Sequence, residues 1–227
     1  MKIVAASDSS VLVTFGDVPS PETEDLVLGL FHALKARHDV RILNLHPGYV
    51  SLLIDFDPLA MSHDKAAGLV KSLLDAGAPA IPGGARLVEV PVCYGADFGP
   101  DLADVASHTG VLPDEVVRLH SRTDCRVAFL GFTAGFAYLS GMPEALSTPR
   151  LATPRRTVPA GSIGIAGRQT GIYPAETPGG WRLIGRTPLR MFDASANQPA
   201  RLEPGDRVRF VRITRAEFDR LWRERAL

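Results

Sequence analysis

Between residues 125 and 213 the chain is written in short apolar or aromatic runs cut by glycine and proline, with little helical periodicity. A helix interior loses about 1 kcal/mol at each glycine and about 3 kcal/mol at each proline, whereas strands of four to eight residues end naturally at such punctuation. This stretch is therefore expected to form an all-β barrel or sandwich with long loops. Leu202-Glu203-Pro204-Gly205-Asp206 reads as a Pro-Gly turn feeding a strand over residues 208–213. Thr214 and Glu217 have capping-box spacing, opening a last helix with Phe218, Leu221 and Trp222 on one face.

The first third has a different texture. Ile3-Val4-Ala5-Ala6 and Val11-Leu12-Val13-Thr14-Phe15 flank a turn-rich tetrad, residues 7–10, which predicts a hairpin. Ser20 is placed as a helix cap with Pro21 at the first helical position, where its missing N–H does no harm. Leu26, Val27, Leu30, Phe31 and Leu34 then recur at helical spacing. Strands are predicted over 40–45 and 50–56, and a second helix from near Ser62 with Leu69, Val70, Leu73 and Leu74 inward. Gly77 is placed to end it in the left-handed region. Two strands, a helix, two strands and a helix describe a small α+β sandwich with both helices on one face.

Pro79, Pro82, Gly83 and Gly84 make residues 78–85 the linker candidate, giving an α+β chain with domains at 1–80 and 86–227. Beyond the linker, a strand is expected over 87–92, and Pro100 and Pro113 each to open a short helix. Lys plus Arg and Asp plus Glu both number 25, so the formal net charge is zero. That balance argues against a general nucleic-acid or anionic-membrane binder, which needs surplus cations. No apolar run reaches the ~20 residues of a membrane span, and the start carries no secretory pattern. The expected compartment is the cytoplasm. Cys93 and Cys125 are too far apart for a CxxC signature, and no metal site is expected.

Several side chains carry candidate chemistry. No GxxxxGK[ST] phosphate loop is present. The glycine-rich residues 161–167 admit two readings, a tight barrel strand or a backbone cradle for an oxyanion with Ser162 donating. His120 lies four residues after Val116 on the inward side of its helix. It is either a core histidine or the candidate general acid–base of this half. Phe129, Phe132, Phe136 and Tyr138 form the densest aromatic cluster, read as barrel core for two of them. Arg155, Arg156, Arg168 and Arg186 fall in loop-rich sequence that also holds Tyr173, Glu176 and Trp181. A planar guanidinium suits bidentate capture of a carboxylate or phosphoryl group, so a small anionic substrate is the expected ligand.

Gly131-Phe132-Thr133-Ala134-Gly135-Phe136-Ala137-Tyr138-Leu139 is followed by Pro149-Arg150 and Thr153-Pro154-Arg155. Val158-Pro159-Ala160-Gly161-Ser162, Gln169-Thr170-Gly171-Ile172-Tyr173-Pro174, Pro178-Gly179-Gly180-Trp181 and Gly185-Arg186-Thr187-Pro188 complete an ordered set. Together they resemble the B-type subunit family of 5-oxoprolinase, also labelled allophanate hydrolase subunit 1 and a KipI-type inhibitor of a sporulation histidine kinase. The resemblance implies a cyclophilin-like β-barrel behind a small α/β N-terminal domain, and kinship with the carboxyltransferase lobes of urea carboxylase. It also implies ATP-dependent opening of 5-oxo-L-proline to L-glutamate with C-type and A-type 5-oxoprolinase partners, the chain being inactive alone. Phe132, Phe136, Tyr138, Arg155, Arg156, Ser162, Gln169, Tyr173, Glu176, Trp181 and Arg186 are the expected substrate-binding residues. ATP is expected of the complex without a site on this chain. Ala134 stands where the family has proline, which leaves that loop freer to move.

Overall fold

The computed structural model describes residues 1–77 and 85–224. The chain divides into two compact units, Met1–Ala85 and Arg86–Leu227. Of the linker candidate at 78–85, residues 78–84 lie outside the described residues.

In the first unit, β1 (Lys2–Ser7) and β2 (Ser10–Thr14) pair as an antiparallel hairpin, its turn held by a 2.7 Å hydrogen bond between the Ser7 and Ser10 hydroxyls. Helix α1 (Pro21–Ala36) starts at a reciprocal cap: Ser20 Oγ accepts the Thr23 N–H, and Thr23 Oγ1 accepts the Ser20 N–H. β3 (Ile42–Pro47) and β4 (Ser51–Phe56) follow, then α2 (His63–Asp75), in a four-stranded sheet of order β1-β2-β4-β3. Val11 and Val13 of β2, with Leu52, Ile54 and Phe56 of β4, alternate onto one face. Val27, Leu30, Phe31 and Leu34 of α1 and Ala66 and Val70 of α2 cover that face, so one apolar stripe meets another. β3 starts two residues later than the pattern predicts, and Val40 is 90% exposed. The cause is local: Asp39 accepts the N–H of Arg41 on its carboxylate and of Ile42 on its carbonyl, making a turn where extension was expected.

The second unit is a closed barrel of strand order β10-β7-β6-β13-β5-β12-β9. Its elements are β5 (Leu87–Tyr94), α3 (Leu102–Thr109), α4 (Pro113–Arg122), β6 (Asp124–Leu130) and β7 (Ala137–Ser140). Then come β8 (Arg155–Val158), β9 (Ser162–Ala166), β10 (Gln169–Ile172), β11 (Thr177–Gly179), β12 (Arg182–Arg186), β13 (Arg207–Arg212) and α5 (Arg215–Glu224). β8 and β11 form a separate two-stranded sheet. The barrel closes where β13, last in sequence, pairs in parallel with β5, the first. Val90, Val92, Val127, Leu139, Ile163, Ile165, Ile184, Val208 and Phe210 fill its interior cluster. Pro113 opens α4 as expected, but Pro100 does not open α3, which begins at Leu102. Asp101 intervenes, because its backbone N–H and its carboxylate are both bonded to Leu183 on β12. The α+β class and the barrel-bearing second half agree with expectation.

Candidate functional site

The glycine-rich segment shows how the barrel wall is made. β9 is buried along its whole length. Ile163 and Ile165 join the interior cluster, while Gly164 lies under aromatic rings on the other side. A Cβ on Gly164 would come within 2.9 Å of Trp181 Cβ, and one on its paired neighbour Gly171 within 3.0 Å of the Trp181 ring and 3.1 Å of Phe136. These two glycines let large rings lie flat on the wall. The oxyanion-cradle reading does not fit: the Gly161 N–H goes to Tyr173 O, and Ser162 spends its N–H and its hydroxyl on Pro159 O.

On that wall Phe136, Tyr173 and Trp181 pack as a block with Val158, Ala166 and Leu183, and half-buried Tyr138 joins them. Phe136 meets Tyr138, Tyr173 and Trp181 edge-on at 4.9, 5.1 and 5.4 Å between centroids. Phe129 stacks on Tyr138 at 4.6 Å, and Phe132 meets Phe136 at 5.6 Å. Burial raises the Tyr173 hydroxyl pKa, so it stays protonated at neutral pH, with a hydrogen bond from the Trp181 backbone in partial opposition.

The loop between β6 and β7 presents the exposed member of this group. Gly131 N–H bonds Phe136 O, Thr133 N–H bonds Gly131 O and Phe136 N–H bonds Thr133 O. The loop is thus closed on both sides of Ala134 despite the missing proline. Phe132 sits at φ 65° and is 62% exposed. A bulky residue in the left-handed region, with its ring largely in solvent, is backbone strain of the kind that collects at functional positions.

The arginines divide into separate groups. Arg155 Nη2 donates to Asp101 at 2.6 Å, and Asp101, 5% exposed, also accepts the Leu183 N–H at 2.6 Å. Arg155 Nη1 is buried and has no hydrogen-bond partner among the described residues. The Arg150 guanidinium lies 5.9 Å over the Trp181 ring and, like Arg155, acts electrostatically on Tyr173. Arg186 is elsewhere, at the end of β12 opposite Trp181. Its Nε donates to Ala160 O at 2.7 Å, and its guanidinium lies over Trp222 at 4.8 Å and Phe98 at 6.0 Å. Phe98 and Trp222 both contact Phe218 of α5, so Arg186 helps hold that helix, away from the Trp181 block.

His120 is enclosed in the barrel. It is 1% exposed, stacks on Phe210 at 4.4 Å, and its ring nitrogens lie 2.9 Å from the hydroxyls of Tyr94 and Thr170. Thr170 donates its proton to Gly164 O, so it accepts from His120 Nε2–H, and Nδ1 accepts from Tyr94. Burial pushes the His120 pKa down to about 3, leaving a neutral, fully bonded ring. The core-histidine reading holds, and no proton acceptor is left over for catalysis.

Of the expected binding residues, the fold therefore brings together Phe132, Phe136, Tyr138, Tyr173 and Trp181, with Arg155 at their border. Ser162 and Arg186 lie apart from them; Arg156 and Glu176 are exposed, and Gln169 is half-buried on β10. Phe136, Tyr173 and Trp181 are packed core, so the surface a ligand could touch is Phe132, Tyr138 and Arg150. Arg150 and Asp101 were missed by sequence reasoning; the only hint of Arg150 was its place in the Pro149-Arg150 motif. A cavity of about 340 Å³ lies elsewhere, lined by residues that include Arg86, Arg190 and Arg201. Those cations are largely engaged, Arg86 with Asp206 and Arg190 with Asp193. No described helix is long and apolar enough to cross a membrane.

Comparison with known proteins places this geometry in a family. The carboxyltransferase domain, subdomain C and D, family model matches residues 1–202. The B-type subunit of 5-oxoprolinase from Bacillus subtilis is 37% identical over 96% of this chain and 95% of its own length. A solved structure of the protein TTHA0988 superposes at a TM-score of 0.80 with 38% identity, covering 90% of this chain and 40% of that longer one. Urea amidolyase from K. lactis shares the fold at a TM-score of 0.75 and 19% identity, over 98% of this chain and 15% of that one. With a packed aromatic wall on a closed barrel, a match over 96% of the chain settles kinship: the chain belongs to the carboxyltransferase subdomain C and D family, among the B-type 5-oxoprolinase proteins.

Proposed function

We propose that this chain is the B-type component of a cytoplasmic, ATP-dependent 5-oxoprolinase that opens 5-oxo-L-proline to L-glutamate together with C-type and A-type partners. The near-complete match to relatives bearing that name carries the reading. The site geometry supports it. The exposed fringe of Phe132, Tyr138 and Arg150 is an open surface, as half of a site completed by another polypeptide would be. A five-membered lactam acid has a flat apolar ring and one carboxylate, which an aromatic edge and a guanidinium match in kind.

A lactam carbonyl is a poor electrophile, and ATP supplies the activation in such a reaction. The glycine-rich strand of this chain does not fit a nucleotide phosphate, because its leading N–H groups are bonded within the barrel. ATP is accordingly assigned to the assembled complex, and this chain's share is to bind and orient the lactam and to keep water from its ring face. The test is reconstitution with cognate partners. Glutamate release should require 5-oxoproline, ATP and all three components, with the chain alone inactive and allophanate not replacing 5-oxoproline. Zero turnover by well-folded cognate components would overturn the proposal.

A further inference from the structure

Most guanidiniums around the barrel wall are already committed. Arg155 is bound to Asp101, Arg168 to Glu144, Arg182 to Asp104, and Arg186 to Ala160 O and the rings beside α5. Arg150 differs. Its side chain is exposed, and among the described residues its guanidinium makes no hydrogen bond or ion pair.

Its backbone, by contrast, is held firmly. On one side the Leu151 N–H donates to Gly180 O at 2.7 Å; on the other Arg182 Nε donates to Pro149 O at 3.4 Å. Gly180 and Arg182 flank Trp181, so the peptide carrying Arg150 is tied down on both sides of the indole it overlies. Two residues earlier, Thr148 and Gly167 exchange backbone hydrogen bonds at 3.3 and 2.7 Å. The result is a fixed anchor with its guanidinium donors free, beside the aromatic group whose exposed edges are Phe132 and Tyr138. An arginine whose fork of donors is unspent keeps its full capacity for bidentate capture of a carboxylate, and the indole beneath it favours the charged head at this edge.

We infer that Arg150 is the substrate-recognition residue that takes the carboxylate of a small lactam acid whose ring lies against Tyr138, the half-buried ring 5.8 Å from Trp181. The inference rests on the function proposed above and says which residue of this chain reads the substrate's charge. Recognition is by charge-assisted hydrogen bonds, with no covalent step.

The test uses the reconstituted complex with Arg150→Met, Arg150→Lys and, as a control, Arg118→Met, whose arginine is paired with Glu115 on the exposed side of α4. Loss of a charged hydrogen bond predicts that Arg150→Met raises KM for 5-oxoproline about tenfold or more, with kcat changed less. Inhibition by 2-pyrrolidinone, the same lactam without the carboxylate, should keep its Ki. Arg150→Lys should recover part of the loss, and Arg118→Met should match the wild type. A KM within twofold of wild type in Arg150→Met overturns the inference while leaving the proposed function standing. So does an equal weakening of 2-pyrrolidinone inhibition, or failure of the variant to co-purify with its partners, since each assigns Arg150 another role. An inactive wild-type complex overturns both.

Discussion

Cutting the Asp101–Arg155 pair should destabilise the second unit by an amount that its geometry orders in advance. Asp101 is 5% exposed and accepts two hydrogen bonds of 2.6 Å, from Arg155 Nη2 and the Leu183 N–H, tying β8 and β12 to the start of α3. Removing one partner of a buried pair costs ~3–5 kcal/mol, because the other charge is stranded. The Arg155 side chain is 29% exposed, so water recovers part of that penalty. Asp101→Ala also strands the Leu183 N–H and should cost about 3–4 kcal/mol. Arg155→Met should cost at least as much, about 3–5 kcal/mol, since it leaves the more deeply buried Asp101 carboxylate with only the Leu183 N–H as partner. The double variant should fall short of the sum of the singles by at least about 1 kcal/mol. For a chain of this length these values correspond to Tm losses of roughly 2–4 °C per kcal/mol, which circular dichroism melts resolve. Additive singles, or an Arg155→Met variant melting within a degree of wild type, would refute the coupling.

Four further outcomes are expected. His120 has its pKa pushed down to about 3 by burial, against ~6.5 in an unfolded chain, so the unfolded state binds the extra proton between those values. Its contribution is therefore complete above about pH 6.5 and is lost as pH falls toward 3; His120→Gln should flatten that fall in urea titrations, and an unchanged slope would refute it. Gly164→Ala drives a Cβ to 2.9 Å from Trp181 and should cost about 1–3 kcal/mol, visible as a lower urea midpoint. Phe132→Gly releases a side chain from φ 65° and should stabilise the fold by up to about 1 kcal/mol, read as a slightly higher Tm, while lowering turnover of the complex; a lower Tm would disprove the strain. Arg186→Ala should speed hydrogen exchange in α5 far more than it alters substrate KM, because its contacts are Ala160 O, Trp222 and Phe98.

Local rules carried most of the secondary structure into view from the amino-acid order alone. The Ser20 cap with Pro21, the Thr214–Glu217 box, the period-two alternation of β2 and β4 and the glycine- and proline-punctuated second half each depend on residues a few positions apart. Such interactions are read along the chain, and so the α+β class and a β-rich second half were legible, while the choice of barrel over sandwich came from the family resemblance alone. The small misses were local too: the Asp39 turn outcompeted β-propensity at Val40, and the bonds of Asp101 to Leu183 displaced the start of α3 from Pro100.

Which aromatic ring is core and which is surface, and which arginine is committed, could not be read that way. Arg155 and Arg150 are close in sequence and equal in chemistry, yet one is neutralised by Asp101 and the other lies uncommitted over Trp181. His120 could be read from its sequence as core histidine or as acid–base, and only its contacts with Tyr94, Thr170 and Phe210 decide for core. Residue order determined the elements because their hydrogen bonds and periodicities are short-range. Barrel closure alone decided the site, because burial and ion pairing depend on partners that only the closed sheet brings within a few ångströms.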